Sequence, residues 1–240
     1  MMQTDRVPTG IAGFDGLVEG GLPKGRSILI TGEPGTGKTI FSLQFLFEGL
    51  LRGERGIYVA ADEEPMDILE QAASLGWNLE EYVEKKEFAI LTAGAYLSSV
   101  SGGPKDRQID IHKAIGDLAK FVNQLEAKRL VLDPAGPFVM LRDTATRIQD
   151  QTRLLIKLLR TSMPTTNLLT SYAVPRTGER TMRGIEEYMV AGVVVLEMIW
   201  REERLARSLI VGKMRCTDAK PVQHEFDIVK GKGIVLLEHA

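Results

Sequence analysis

The sequence "GEPGTGKT", residues 32–39, is the strongest motif in this 240-residue chain. It matches the pattern in which a glycine-rich loop aims its backbone N–H groups at phosphate oxygens. The stretch follows "RSILIT" (26–31), which predicts a buried strand, and leads into "KTIFSLQFLFEGLL" (38–51), which is apolar nearly all round and predicts a buried helix. Strand, loop and helix in this order favour a phosphate-binding loop over a chance glycine-rich turn.

The loop assigns roles to the side chains at its helical end. We expect Lys38 to reach the β- and γ-phosphates of ATP and the Thr39 hydroxyl to bind Mg²⁺. The positive end of the helix dipole adds to the attraction for phosphate. The predicted nucleotide-binding residues of the loop are Gly32, Glu33, Pro34, Gly35, Thr36, Gly37, Lys38 and Thr39.

Short apolar runs alternate with amphipathic stretches along the rest of the chain, which predicts an α/β fold with a mostly parallel central sheet flanked by helices. Further strands are predicted at 56–61, 88–93, 129–133, 167–171, 192–198 and 208–214, and helices at 66–75, 108–126 and 144–161. The tail "HEFDIVKGKGIVLLE" predicts a C-terminal β-hairpin. Since no repeat or low-complexity linker interrupts this pattern, we expect one domain over residues 1–240.

Composition sets broad limits on function. With 44% hydrophobic and 26% charged residues, the chain is typical of a soluble globular protein. A net charge of −2 neither demands nor excludes a nucleic-acid partner, and one cysteine excludes an internal disulfide. No apolar run reaches transmembrane length and no leader pattern follows the first residues, so we expect a cytoplasmic protein without a membrane partner.

Acidic residues end two of the predicted strands. Asp133 ends "RLVLD" and is predicted to support Mg²⁺, the alternative being a strand-terminating Asp. "YVAADEEP" places Asp62 and Glu63 at another strand end. Crowded carboxylates favour facing a cation or accepting a proton, so we predict that these two are catalytic and position or activate the attacking water. The alternative is an acidic helix start, which suits Glu64.

A family resemblance emerges from several segments together. "TGIAGFDGLVEGGLPKGRSILITGEPGTGKTIFSLQFL", "IYVAADEEP", "SLGW", "RLVLD" and "KMRCTD" resemble the KaiC branch of the RecA superfamily, over about residues 9–237. Within that branch the chain resembles short archaeal proteins described as RadA paralogues or KaiC-like ATPases. The resemblance implies a RecA-like P-loop ATPase that binds ATP and Mg²⁺ and forms a homo-oligomer, with a hexameric ring favoured.

The stretch "GKMRCTDAK" places two cations on one face of an extended strand, where Lys213 and Arg215 repel unless an anion lies between them. The resemblance implies that this anion is the neighbouring protomer's ATP, reached by an arginine finger in trans. Met214 and Thr217 match positions at the same boundary, and Ser74 matches a nucleotide contact within the protomer. The alternative is a solvated edge strand, where lysine is common.

Three departures from the family pattern modify these expectations. The adjacent Glu-Glu of the family is Asp62-Glu63 here, so the position of the general base carries the shorter acid and we expect slow hydrolysis. Pro134 replaces the hydroxyl residue that often follows the magnesium Asp. At the phosphorylated Ser-Thr pair of KaiC's second domain, this chain has Glu187-Tyr188, so we do not expect autokinase activity.

The resemblance also indicates a macromolecular partner. RecA relatives bind single-stranded DNA through loops that correspond to residues 136–146 and 174–184, and the second carries Arg176, Arg180 and Arg183. A basic loop suits a phosphate backbone, although this one has no aromatic residue to stack on bases. We predict a single-strand DNA-binding modulator of recombination or repair. The alternatives are an ATP switch that binds a protein in signalling or assembly, and a nucleotide-bound structural protein without turnover.

Three other residues are predicted to serve in packing. Trp77 and Trp200 are expected to be packed rather than to stack on bases, and Cys216 to be packed rather than reactive.

Overall fold

The computed structural model of the chain describes residues 4–93, 110–138, 145–172 and 189–237. The strands of this part are β1 (Arg6–Val7), β2 (Leu22–Pro23), β3 (Ser27–Gly32), β4 (Gly56–Ala60), β5 (Phe88–Thr92), β6 (Arg129–Asp133), β7 (Thr166–Tyr172), β8 (Gly192–Arg201), β9 (Arg204–Met214), β10 (Gln223–Val229) and β11 (Gly233–Leu236). The helices are α1 (Phe14–Leu17), α2 (Lys38–Leu51), α3 (Pro65–Ser74), α4 (Leu79–Glu84), α5 (Ile111–Leu125) and α6 (Ala145–Ser162), with a 3-10 turn at Gly136–Phe138.

Nine of these strands form one sheet in the order β11-β10-β9-β8-β3-β7-β6-β4-β5. From β8 to β5 neighbouring strands run parallel, whereas β8 to β11 are joined by antiparallel pairings. The mostly parallel sheet with flanking helices and the C-terminal hairpin of β10 and β11 confirm the predicted α/β, RecA-like fold. The predicted strands 192–198 and 208–214 are longer than expected, because they continue into a hairpin.

Both faces of the central strand β3 are buried. On β3, Ile28 and Ile30 belong to one apolar cluster, which includes residues of α2 and the C-terminal hairpin. Leu29 belongs to a second cluster, which includes residues of α5 and α6. A strand covered on both faces favours an unbroken apolar run, which is why Ile28, Leu29 and Ile30 follow one another without polar alternation.

The side chain of Gln44, buried in α2, ties the two ends of the chain to this helix. Its Nε2 donates to the carbonyl oxygens of Gly10 at 2.8 Å and Lys232 at 2.9 Å, and its Oε1 accepts from the backbone N–H of Ile234 at 2.7 Å. A β-bridge between Ala12 and Val235 lies alongside. The N-terminal loop and the C-terminal hairpin are therefore both fixed to α2.

A fully buried arginine begins β6. Arg129 donates from Nε to the Glu54 carboxylate at 2.7 Å and from Nη1 to the carbonyl oxygens of Pro8 at 2.7 Å and Phe45 at 2.6 Å. Burial lowers the pKa of the Arg129 guanidinium, and the bond to Glu54 opposes that shift. Gly49 of α2 packs directly on this side chain, since a Cβ there would lie 2.4 Å from the Arg129 Nε.

Two of the three packing predictions are wrong. Trp77 is buried, as predicted, at 4% exposure. Trp200, however, is 75% exposed near the tip of the β8–β9 hairpin, and Cys216 is exposed in the turn after β9. The hairpin tip and the turn carry these side chains away from both apolar clusters. Within the described residues, no helix is long and apolar enough to cross a membrane.

Replacing Gly49 with alanine should destabilise the protein, because the new methyl group displaces the buried Arg129 side chain. We expect a loss of about 1–3 kcal/mol in the free energy of unfolding, measured by urea denaturation. The matched control is Gly116→Ala in α5, where a Cβ meets nothing within 4 Å. That change should stabilise the protein by about 0.5–1 kcal/mol. Equal effects of the two substitutions would contradict the tight packing at Gly49.

Candidate nucleotide-binding site

The loop of residues 32–39 joins β3 to α2 at the carboxyl edge of the parallel strands. Gly37, which caps α2, has a φ of 105°, a left-handed conformation that a side chain strongly disfavours. At Gly32 a Cβ would lie 2.4 Å from the carbonyl oxygen of Leu196, so the neighbouring strand leaves room only for glycine. The Thr36 hydroxyl donates to the carbonyl oxygen of Glu33 at 2.8 Å, which closes the loop.

Lys38 lies at the centre of this loop. Its Nζ donates to the carbonyl oxygens of Gly32 at 2.8 Å and Glu33 at 2.9 Å, and the residue is 9% exposed. Burial lowers the pKa of Lys38, and the negative charge of Asp133 opposes that shift. A largely buried cation that donates to backbone carbonyl oxygens is placed to exchange them for phosphate oxygens.

The Asp133 carboxylate accepts hydrogen bonds from three hydroxyl groups. Thr39 Oγ1 donates to its Oδ2 at 2.9 Å, Tyr58 also donates to Oδ2, and Thr170 donates to Oδ1. The donors come from α2, β4 and β7, so the predicted metal residues Thr39 and Asp133 are brought together. Burial raises the pKa of Tyr58 well above its ordinary value, and the adjacent Asp133 charge adds to the shift, which keeps Tyr58 protonated as a donor.

These oxygens suit Mg²⁺, which prefers a few hard oxygen ligands and completes its shell with water and phosphate. Thr39 and Asp133 are such ligands. Within the part of the chain that the structure describes, no group of three or more His, Cys, Asp or Glu residues is arranged to hold a metal ion.

The two predicted catalytic acids lie beyond the end of β4 and line the same cleft, whose volume is about 400 Å³. Glu63 is half-buried and accepts a hydrogen bond from Gln71 of α3. Burial raises the pKa of the Glu63 carboxyl, the bond from Gln71 opposes the shift, and nearby carboxylates, Asp133 foremost, add to it. Asp62 is exposed. The more desolvated of the two acids is thus Glu63.

Arg207 is a lining residue that the sequence did not indicate. It lies on β9, and its Nε donates to the carbonyl oxygen of Gly35 at 3.2 Å, so its guanidinium stands beside the phosphate-binding loop. Ile228 of β10 lines the cleft as well. Neither residue belongs to a motif. Leu196 of β8 pairs with Gly32, where the loop begins. Two residues further along β8, Met198 pairs with Arg207 of β9, and this register brings Arg207 to the loop.

The predicted trans-acting residues lie at the opposite end of the sheet. Met214 pairs with Gly192, and Gly192 pairs with Ile28 near the start of β3, whereas the loop follows the end of β3 at Gly32. At about 3.3 Å per residue Ile28 and Gly32 are separated by roughly 13 Å, before the loop itself is counted. Residues 213–217, which we call the finger segment, therefore lie away from the cleft of their own protomer.

Details of the finger segment differ from the expectation of one extended strand. β9 ends at Met214, so Arg215 belongs to the following turn. Lys213 Nζ donates to the carbonyl oxygen of Val190 at 2.8 Å, and the Arg215 backbone N–H donates to that of Ala191 at 2.7 Å. Met214 is buried and Thr217 half-buried.

Other predicted residues are not brought to the cleft. Ser74 is exposed at the end of α3, where its hydroxyl donates to the carbonyl oxygen of Gln71 at 2.7 Å, and it is not part of the cleft wall. The possible DNA loop with Arg176, Arg180 and Arg183 lies outside the described residues, as does most of the loop at 136–146.

Comparison with known proteins agrees with this geometry. The family model for the ATPase KaiC matches residues 7–240. The chain belongs to the KaiC ATPase family. A KaiC-like protein from Pyrococcus horikoshii has a crystal structure that superimposes with a TM-score of 0.82 at 31% identity, covering 98% of this chain and 100% of that one. The predicted RecA-superfamily, KaiC-like relationship is thus confirmed.

The relatives of this KaiC-family chain differ in length. The circadian clock oscillator protein KaiC of Parasynechococcus marenigrum is 36% identical over 217 residues, which are 90% of this chain but 42% of the relative. The chain thus spans less than half the length of that KaiC. A UPF0273 protein of Methanopyrus kandleri is 35% identical over 238 residues, which cover 95% of this chain and 90% of the relative.

Replacing Arg207 with alanine should weaken nucleotide binding by this KaiC-family protein, because a cation beside the loop is lost. A charge-assisted hydrogen bond contributes enough that we expect the Kd for a non-hydrolysable ATP analogue to rise about tenfold or more. The control is Arg204→Ala, at the exposed start of the same strand, which should leave the Kd unchanged. Isothermal titration calorimetry makes the measurement. Equal Kd values for the two variants would exclude a phosphate contact by Arg207.

Proposed function

We propose that the protein binds Mg·ATP in this cleft and hydrolyses it slowly. The observation that carries the proposal is the hydrogen bond of 2.9 Å between Thr39 and Asp133, beside a desolvated Lys38. The loop N–H groups and Lys38 would hold the phosphates, and Thr39 and Asp133 would hold Mg²⁺. The metal would neutralise charge that develops on the phosphates during transfer. Membership of an ATPase family supports this assignment.

Glu63 is the better placed acid to accept the proton of an attacking water. A general base works best when its pKa lies near the working pH, and burial moves the pKa of Glu63 in that direction. The bond from Gln71 also orients its carboxylate. Asp62 would assist from the more exposed position. Because its side chain is one carbon shorter than the glutamate that the family has at this position, its assistance to Glu63 would be weaker, and we expect slow turnover for that reason.

The cleft is completed by a neighbouring protomer in this proposal. The finger segment lies at the far end of the sheet from its own phosphate loop, so Lys213 and Arg215 serve a nucleotide only across a subunit boundary. Head-to-tail contacts of this kind close into a ring when the rotation permits, and a homo-hexamer is the form we favour. An arginine supplied in trans stabilises transition-state charge and makes hydrolysis depend on assembly.

Two mixed variants test the shared site. Lys38→Ala removes the phosphate contact and Arg215→Ala removes the finger, so each protein alone should be inactive. After subunit exchange, some boundaries combine the intact Lys38 of one chain with the intact Arg215 of the other, and ATP turnover should return in part. Turnover is measured by phosphate release. Absence of recovery, despite exchange shown by energy transfer between labelled subunits, would exclude the shared site.

The macromolecular partner is the second part of the proposal. We favour single-stranded DNA, bound by the arginines of residues 174–184, and a role as a RadA paralogue that modulates recombination or repair. The alternative is an ATP-dependent switch that binds a protein. It is favoured by the exposed apolar pair at the hairpin tip, where Trp200 is 75% and Leu205 48% exposed and the two residues pair across the strands.

Steady-state ATP turnover with and without single-stranded DNA separates these functions. With Lys38→Ala as the blank, we expect slow turnover that DNA stimulates, and loss of turnover without loss of nucleotide binding in Glu63→Gln. Turnover that is indifferent to DNA would favour the protein-binding switch. Turnover no higher than the blank would contradict hydrolysis and leave nucleotide binding as the function.

A further inference from the structure

Arg6, a mostly buried arginine near the start of the chain, donates hydrogen bonds to the finger segment. Arg6 lies in β1, and its side chain is 14% exposed. Its Nη1 donates to Thr217 Oγ1 at 2.6 Å, and its Nη2 donates to the carbonyl oxygen of Cys216 at 2.5 Å. One guanidinium thus joins β1 to the turn that follows Arg215.

Glu19 fixes this guanidinium from the other side. Its Oε2 accepts from Arg6 Nη2 at 2.5 Å, while its Oε1 accepts from the backbone N–H of Asp218 at 3.2 Å. The same carboxylate therefore contacts both the cation and the turn. Because a guanidinium is planar and its donors are fixed, such a set of bonds restricts the backbone of the turn more narrowly than one bond does.

The turn needs this support because its backbone is unfavourable. Cys216 has a φ of 60°, in the left-handed region that residues with a Cβ disfavour. The hydroxyl of Thr217, which accepts from Arg6, itself donates to the carbonyl oxygen of Arg215 at 3.3 Å. Arg6 is thus linked through a single hydroxyl group to the backbone of the residue that we assign to the neighbour's nucleotide.

We propose that Arg6 and Glu19 are positioning residues that hold the finger segment in the orientation required at the neighbouring protomer's nucleotide. The inference rests on the trans arrangement proposed above. Neither residue lines the cleft of its own protomer. A protomer without Arg6 or Glu19 should therefore fail to support hydrolysis at its neighbour's nucleotide site, while its own nucleotide site stays intact.

The first measurement is turnover by Arg6→Ala and Glu19→Gln proteins. We expect kcat to fall at least about tenfold, because small misplacements of a catalytic group are costly in rate. The Kd for a non-hydrolysable ATP analogue should change less than twofold in the same proteins. The matched control is Lys85→Ala, which removes the exposed ion pair between Glu81 of α4 and Lys85 just after that helix and should leave kcat unchanged.

Mixed oligomers then assign the defect to one side of the boundary. Lys38→Ala subunits supply intact finger segments, so they should restore turnover at the intact nucleotide sites of Arg6→Ala subunits. Arg215→Ala subunits supply none, so mixing them with Arg6→Ala should restore nothing. A general folding defect would not give this pattern of recovery, because it would damage both the nucleotide site and the finger segment of a subunit.

A second-site change gives an independent readout. Glycine adopts a φ of 60° without strain, so Cys216→Gly in the Arg6→Ala background should recover part of the lost kcat. Wild-type kcat in Arg6→Ala, with turnover lost in Arg215→Ala, would overturn this inference alone. So would recovery on mixing with Arg215→Ala. Wild-type turnover in Arg215→Ala would overturn the trans arrangement and this inference with it.

Discussion

Three hydroxyl groups converge on one carboxylate, and the geometry of the site depends on that convergence. Asp133 receives hydrogen bonds from Thr39, Tyr58 and Thr170, which belong to α2, β4 and β7. A half-buried charge with several donors is stabilised only while every donor stays in place. The bonds therefore fix the first turn of α2 against three adjacent strands, and they anchor the loop that precedes the helix at its helical end.

How much of this was predictable depends on whether a feature is local. The loop, its strand and its helix follow from residues 26–51 alone, because each is defined by neighbours in sequence. Asp133 was predictable as well, since an acid at the end of an apolar strand lies at the same sheet edge as the loop. The burial of β3 and the C-terminal hairpin were predictable for the same reason.

Features that depend on strand register were not predictable. Arg207 reaches the loop only because β8 and β9 pair as they do, and a register shift between Val193 and Val194 interrupts that pairing. The same hairpin extends beyond the apolar clusters and leaves Trp200 in solvent, which hydrophobicity alone could not indicate. Strand β9 ends at Met214, so Arg215 lies in the following turn and not on the extended strand that the sequence suggested. Likewise, no periodicity relates Arg6 to a turn more than two hundred residues later.

The bonds of Gln44 connect the nucleotide site to the integrity of both chain ends. Helix α2 carries Lys38 at its first turn and Gln44 nearly two turns later, and Gln44 holds Gly10, Lys232 and Ile234. Opening of either end therefore removes a buried partner from the helix that carries Lys38. By thermodynamic linkage, a ligand that stabilises α2 must also suppress this opening. If a nucleotide stabilises α2, amide protons near residues 10 and 234 should therefore exchange more slowly with solvent when it is bound.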